Sequence, residues 1–113
     1  MNITEEPIDD QIIKINLSGR MDIEGVGHIE TQFAGMTASP RSAVIVDMSE
    51  VPYMSSIGIR ALLMNAKSVA KRGGKLVLLS PQANVRNVLV TSGIDQIIKI
   101  HSDLDEAVAY VTP

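Results

Sequence analysis

Cysteine is absent from the 113 residues, and with it go a disulfide framework, a thiolate metal site and a thiol nucleophile. Histidine is scarce. His28 and His101 are the only two, and neither stands beside a carboxylate at ligand spacing, so a metal centre has little to be built from. There is no basic excess either. Ten Lys and Arg against thirteen Asp and Glu give a net charge of −3 and an isoelectric point near 5.2, opposite in sign to the footprint of a nucleic-acid binder. No apolar run reaches the roughly 20 residues of a membrane span. The opening MNITEEPIDDQ is acidic where a secretory leader would be basic and then apolar. The expectation is a cytoplasmic protein that neither inserts into a membrane nor binds nucleic acid. Repeats, low-complexity tracts and interdomain linkers are also missing.

What is present is an ordinary globular composition, 45% hydrophobic and 20% charged. The length suits one domain over residues 1–113 and can bury a core without metal or disulfide support. Ile13, Ile15 and Leu17 alternate with Lys14, Asn16 and Ser18, the period-two signature of a half-buried strand. Val26, Ile29 and Phe33 predict a helix from about Glu24 to Ala34, with Asp22 as its cap or first-turn acid. Residues 37–42 read as a loop. The run Ala43 to Met48 is apolar with little alternation, which predicts a central strand covered on both faces.

From residue 43 onward strand and helix alternate. Ile59, Leu62, Leu63, Ala66 and Ala70 mark the expected buried stripe of a second helix, with Arg60, Met64, Lys67 and Lys71 opposite. Gly73-Gly74 stops that helix, and Lys75 to Leu79 is the next strand. Val85, Val88 and Leu89 predict a short helix closed by Ser92-Gly93, and Gln96 to Ile100 a further strand. Asp103 caps a last helix whose apolar face is Leu104, Ala107, Val108 and Val111, with Glu106 in capping-box position. Such alternation builds a mostly parallel sheet with right-handed crossovers.

Several partial motifs carry no chemistry. Glu24-Gly25-Val26-Gly27 lacks the third glycine of a dinucleotide fingerprint, and Lys71-Arg72-Gly73-Gly74-Lys75 lacks the spacing and trailing hydroxyl of a phosphate loop. Ser102-Asp103-Leu104-Asp105 lacks the glycine and closing glutamate of a calcium loop. The informative stretch is VDMSEVPYMSSIGIRALL, residues 46–63, where an apolar strand ends in Ser55 and Ser56 and restarts as a helix. A hydrolase elbow at Ser56, with Asp95 and His101 following, would need a small residue where Met54 stands. An N-cap accounts for one serine. Two hydroxyls at a helix N-terminus, with Gly58 keeping the first turn open, make a place where an anion is electrostatically welcome.

At these residues the sequence resembles the STAS domain family, and within it the small bacterial anti-sigma factor antagonists. The resemblance runs over nearly the whole chain. It is carried by Leu17-Ser18-Gly19-Arg20-Met21-Asp22 (family pattern L-x-G-x-L-D), the strand ending Asp47-Met48-Ser49, the segment Tyr53 to Ile59, the Gly73-Gly74 turn and Ser92-Gly93-Ile94. It implies a STAS-like α/β domain with a mixed, mostly parallel sheet of about 4–5 strands flanked by about 4 helices. It also implies a regulator rather than an enzyme, with no cofactor. In similar proteins the serine matching Ser56 is phosphorylated by an anti-sigma factor that is a serine kinase, and a metal-dependent serine phosphatase reverses this. The unphosphorylated form binds the anti-sigma factor and frees sigma factor. Ser55 stands where the family often has aspartate and is the alternative acceptor. The expected partner surface comprises Asp22, Ser55, Ser56, Gly58, Arg60, Met64 and Lys67. The alternative function is a constitutively bound, unphosphorylated STAS subunit of an assembly such as a lipid-transport ATPase.

Overall fold

The computed structural model describes residues 1–112. Ile12–Ser18 forms the first strand that the sequence predicts, labelled β2 because an unpredicted β1, Asn2–Pro7, precedes it. The order then runs α1 Ile23–Thr37, β3 Ala43–Glu50, α2 Ser56–Lys71, β4 Lys75–Leu79, α3 Ala83–Thr91, a 3-10 turn Ile94–Gln96, β5 Ile100–His101 and α4 Leu104–Val111. The five strands lie in sequence order. β1 is antiparallel to β2 and the remaining pairs are parallel, so the sheet is mixed and mostly parallel, as expected. β1 escapes a periodicity reading because it is an edge strand whose side chains, Ile3 apart, face solvent. Its charges and Pro7 are typical of an edge that must not recruit another chain.

The helices divide unequally between the two faces. Ile13, Ile15, Leu17, Val44, Val46, Met48, Leu76 and Leu78 face α1, α2 and α3 and meet Phe33, Leu62 and Leu89 there. On the other face α4 alone covers Ile12, Ala43, Ile45, Val77 and Leu79. β3 is thus buried on both faces by an unbroken apolar run, and β2 on one face by an alternating one. Beyond the reach of α4 that face is polar, with Lys14 Nζ 3.4 Å from Asp47 Oδ2. Among the described residues no helix is long and apolar enough to cross a membrane.

Three sequence expectations need correction. The deepest line of α2 is Gly58, Leu62, Asn65 and Val69; Ala70 is exposed, and Ile59, Leu63 and Ala66 are half-buried. The stripe is misjudged because a glycine and an asparagine occupy it. Asn65 is tolerated there because its Oδ1 accepts from the Thr37 hydroxyl at 2.8 Å and its Nδ2 donates to Ala61 O at 2.8 Å, so both ends of its amide are paired. By the same bond Thr37, expected in a loop, is a buried last residue of α1. The strand expected over Gln96 to Ile100 is a 3-10 turn followed by two strand residues. Gly93, at φ 77°, closes α3, and the amides of Ile97 and Ile98 both donate to Ile94 O, at 2.9 and 2.8 Å, instead of reaching β4.

At the end of α2 the Gly73 amide donates to Ala70 O and the Gly74 amide to Val69 O, each at 3.0 Å, and φ 78° at Gly73 completes a Schellman stop. Within α1, a Cβ at Gly27 would meet nothing within 4 Å. Gly27→Ala is therefore expected to raise unfolding free energy by up to about 1 kcal/mol through helix propensity. Phe33→Ala, emptying a fully buried position, should lower it by about 3–5 kcal/mol. Urea denaturation followed by circular dichroism measures both.

Candidate functional site

β2 and β3 are parallel neighbours, so their C-terminal ends open on one edge, and the two segments that leave them stay paired after the strands end. Gly19 N–H donates to Glu50 O at 3.0 Å, Met21 N–H to Tyr53 O at 2.9 Å and Ser55 N–H to Met21 O at 3.0 Å. Met21 and Met54, bridged by this pairing, are both buried. Each segment then enters a helix at once, so the N-termini of α1 and α2 lie side by side.

The two helix ends are finished differently. Asp22 caps α1, its Oδ1 accepting from Gly25 N–H at 2.8 Å. Ser55 occupies the N-cap position of α2 but makes no side-chain cap; its hydroxyl donates instead to Met21 O at 2.9 Å. The first α2 amides that find a backbone partner are those of Gly58 and Ile59, both to Ser55 O. The amides of Ser56 and Ile57 are left with the positive end of the helix dipole. Ser56 itself is exposed, and its hydroxyl has no protein partner among the described residues.

Ile23, Ser55, Ser56, Ile57 and Arg60 line a shallow depression of about 480 Å³. Its outer wall is Ile23, 77% exposed, an apolar side chain with no core role. Arg20 lies beside the Asp22 cap of α1. Its Nε lies 3.4 Å from Asp22 Oδ2, and its guanidinium stands 4.2 Å over the centre of the Tyr53 ring. The Asp22 carboxyl is held below the ordinary carboxylate range, first by the Gly25 amide, against desolvation, and then by Arg20. Met64, 60% exposed, continues the surface one turn beyond Arg60, in a groove shared with Val26 and Glu30 of α1.

Of the expected partner-facing residues, the structure therefore gathers Asp22, Ser55, Ser56 and Arg60 and places Met64 next to them. Two fall elsewhere. Gly58 is buried under the site, where a Cβ would come within 2.9 Å of both Met21 Cβ and Met54 Cγ; it lets α2 start close against β2 and presents nothing to a partner. Lys67 is exposed but lines a different cleft, with Ile97, Lys99 and Tyr110. Among the described residues no hydrogen bond joins Ser56 to His101, the partner a hydrolase reading would need; the His101 ring packs instead against Tyr110 of α4, with centroids 5.3 Å apart. Sequence reasoning missed Ile23, Arg20 and Tyr53. The available signal was an isoleucine directly after a helix cap, displaced from the Val26, Ile29, Phe33 stripe.

The STAS domain family model matches residues 4–107. The chain belongs to the STAS domain family. Among curated relatives of this STAS domain is BtrV of Bordetella bronchiseptica, assigned as an anti-sigma factor antagonist and 28% identical over 109 residues, which are 96% of this chain and 93% of the relative. An anti-sigma factor antagonist from Mycobacterium paratuberculosis superposes with a TM-score of 0.87 at 20% identity, covering 97% of this chain and 92% of that one. The anti-sigma factor antagonist SpoIIAA matches in its unphosphorylated form with a TM-score of 0.80 at 22% identity, covering 97% of this chain and 96% of that one. The phosphorylated form from Bacillus matches with 0.73 at 20% identity, covering 98% of this chain and all of that one. At these identities the structures establish a shared fold.

The geometry predicts a pH signature. The folded Asp22 carboxyl titrates below its ordinary value of 3.8, so its contribution to stability is complete above 3.8 and is lost as pH falls through the lower folded value. Asp22→Asn keeps a capping oxygen and loses the charge. The thermal midpoints of wild type and variant should therefore converge as pH drops through that window; a gap independent of pH would show that the carboxylate charge is not what the cap uses. Gly58→Val, placing methyls against Met21 and Met54, should cost about 1–3 kcal/mol by overpacking, read as a lower urea midpoint with an unchanged slope.

Proposed function

We propose that this STAS domain is an anti-sigma factor antagonist, that it docks through the paired N-termini of α1 and α2, and that phosphorylation of Ser56 switches docking off. The observation that carries this reading is the contrast between the two serines. Ser55 is half-buried with its hydroxyl committed to Met21 O, whereas Ser56 is exposed beside Ile23 and Arg60 in the depression. A kinase needs a free hydroxyl it can reach, and that favours Ser56 as acceptor over Ser55.

The local physics supplies both halves of a switch. In the unmodified state Ile23, Ile57 and Met64 offer adaptable apolar contact, and Arg60, unpaired with any carboxylate among the described residues, favours an acidic partner surface. A phosphate on Ser56 brings a charge of about −1.5 to −2. It would sit at the uncapped end of α2, where free amides and the helix dipole accept an anion, so the fold is undisturbed. The contact is not. A partner covering Ser56 must desolvate that charge against its own acidic groups, and a loss of about 4 kcal/mol is a thousandfold in affinity. The partner in this reading is an anti-sigma factor with serine kinase activity, a metal-dependent serine phosphatase restores the hydroxyl, and the setting is the cytoplasm. The domain acts by binding, with Asp22 fixing the α1 end of the surface.

Intact mass after incubation with the cognate kinase and ATP tests the acceptor. One phosphate is expected on wild type and Ser55→Ala and none on Ser56→Ala. Affinity for the partner tests the switch, with Ser56→Asp expected to bind at least tenfold more weakly than Ser56→Ala. Equal binding by these two variants would exclude the charge mechanism, and a mass unchanged by every candidate kinase would favour a constitutively bound subunit.

A further inference from the structure

A second surface lies at the opposite edge of the sheet. β5 pairs with β4 only at Leu78 and Leu79, because the turn at Ile94 holds back the amides of Ile97 and Ile98. Along β4 the amides alternate in direction. Lys75 N–H donates toward β3, to Ser42 O, whereas Leu78 and Ser80 donate toward β5, to Lys99 O and His101 O. By the same alternation the N–H and C=O of Leu76 point to the β5 side, where no strand residue stands opposite them. Neither group has a hydrogen-bond partner there among the described residues.

Leu76 lies in an open cleft of about 250 Å³ between α2 and the lead-in to β5, with Ala66, Ala70 and Ile98 as apolar walls and Lys67, Lys75 and Lys99 around it. Among the described residues no carboxylate stands within ion-pair distance of these lysines; the pairs found there are Lys14 with Asp47 and Arg20 with Asp22. Lys75 Nζ is steadied 4.8 Å over the Tyr110 ring. In a protein of net charge −3 this is a local reversal of sign, coincident with an open strand edge.

We propose that this cleft is a second docking site, for an acidic segment of a partner polypeptide that enters extended and pairs with Leu76. Leu76 is only 7% exposed, and where its unpaired edge meets the cleft it offers a donor and an acceptor together, so its occupant must supply both; a peptide backbone does, and a bare anion supplies acceptors alone. The ammonium groups select carboxylate side chains on either side of the paired residue. Lys67 is three turns of α2 from Ser56, about 16 Å along the axis at roughly 1.5 Å per residue, so this site operates apart from the phosphorylation site.

Titration of the full-length, nitrogen-15-labelled protein with the peptide acetyl-EEVEE-amide tests the proposal by nuclear magnetic resonance. The Leu76 amide is expected among the most shifted resonances, with slowed solvent exchange. The double variant Lys67→Glu/Lys99→Glu, changing two exposed side chains, should bind at least tenfold more weakly, and Ser56→Ala should bind as wild type does. An unmoved Leu76 amide, or undiminished binding by the double variant, would overturn the proposal. So would the same shifts produced at equal concentration by inorganic phosphate or a short single-stranded DNA, since either would make this a plain anion site.

Discussion

The proposed docking face depends on a single carbonyl, that of Met21. It accepts two bonds from one residue, the Ser55 amide at 3.0 Å and the Ser55 hydroxyl at 2.9 Å, which uses both of its lone pairs. That pair of hydrogen bonds holds the start of α2 against the start of α1, buries Met21 and Met54 beneath Gly58, and takes Ser55 out of the role of helix cap. Because Ser55 is occupied in this way, the first amides of α2 stay open and Ser56 is turned outward. A carbonyl in one loop thus decides which of two neighbouring serines is accessible.

The electrostatics of the sheet follow from how its faces are covered. Three helices bury one face completely, so specificity cannot be written there. The groups proposed for docking collect instead at the C-terminal ends of β2 and β3, where two helix dipoles converge, and along the incomplete β4 edge, where lysines surround an unpaired backbone unit. The first collects an exposed isoleucine and a free hydroxyl, the second three cations and two backbone groups. Ligand sites outside the carboxyl ends of strands are the general habit of open α/β sheets.

Much of this was legible in the sequence wherever burial imposes a period. Alternation in Ile13 to Leu17, the unbroken run in β3 and the Val26, Ile29, Phe33 stripe each state which side is covered, and the structure agrees. Ser56 and Arg60 could be singled out because strand, serine pair and helix adjoin in the chain, and Asp22 because Leu17 to Asp22 resembles the family pattern. The rest was hidden for definite reasons. β1 gains its place from hydrogen bonds to β2, which side-chain hydropathy does not record. Asn65 lies on the core line only because Thr37, distant in sequence, answers its amide. Lys67 shares a helical stripe with Arg60 yet lines another cleft, since the neighbouring elements, and not the helix alone, decide what a stripe faces.

Arg72 adds a consequence at the far end of the same helix pair. Its guanidinium donates to Thr37 O and, at 2.8 Å, to Ser39 O, tying the close of α2 to the close of α1 as Met21 ties their beginnings. Two helices fastened at both ends form a beam without a hinge. Such a surface has little freedom left to lose when it is covered, so the ordering cost of association falls mainly on whatever binds it. If this face docks as proposed, recognition is a matter of fitting a ready-made shape, and the partner is the member of the pair that must adapt.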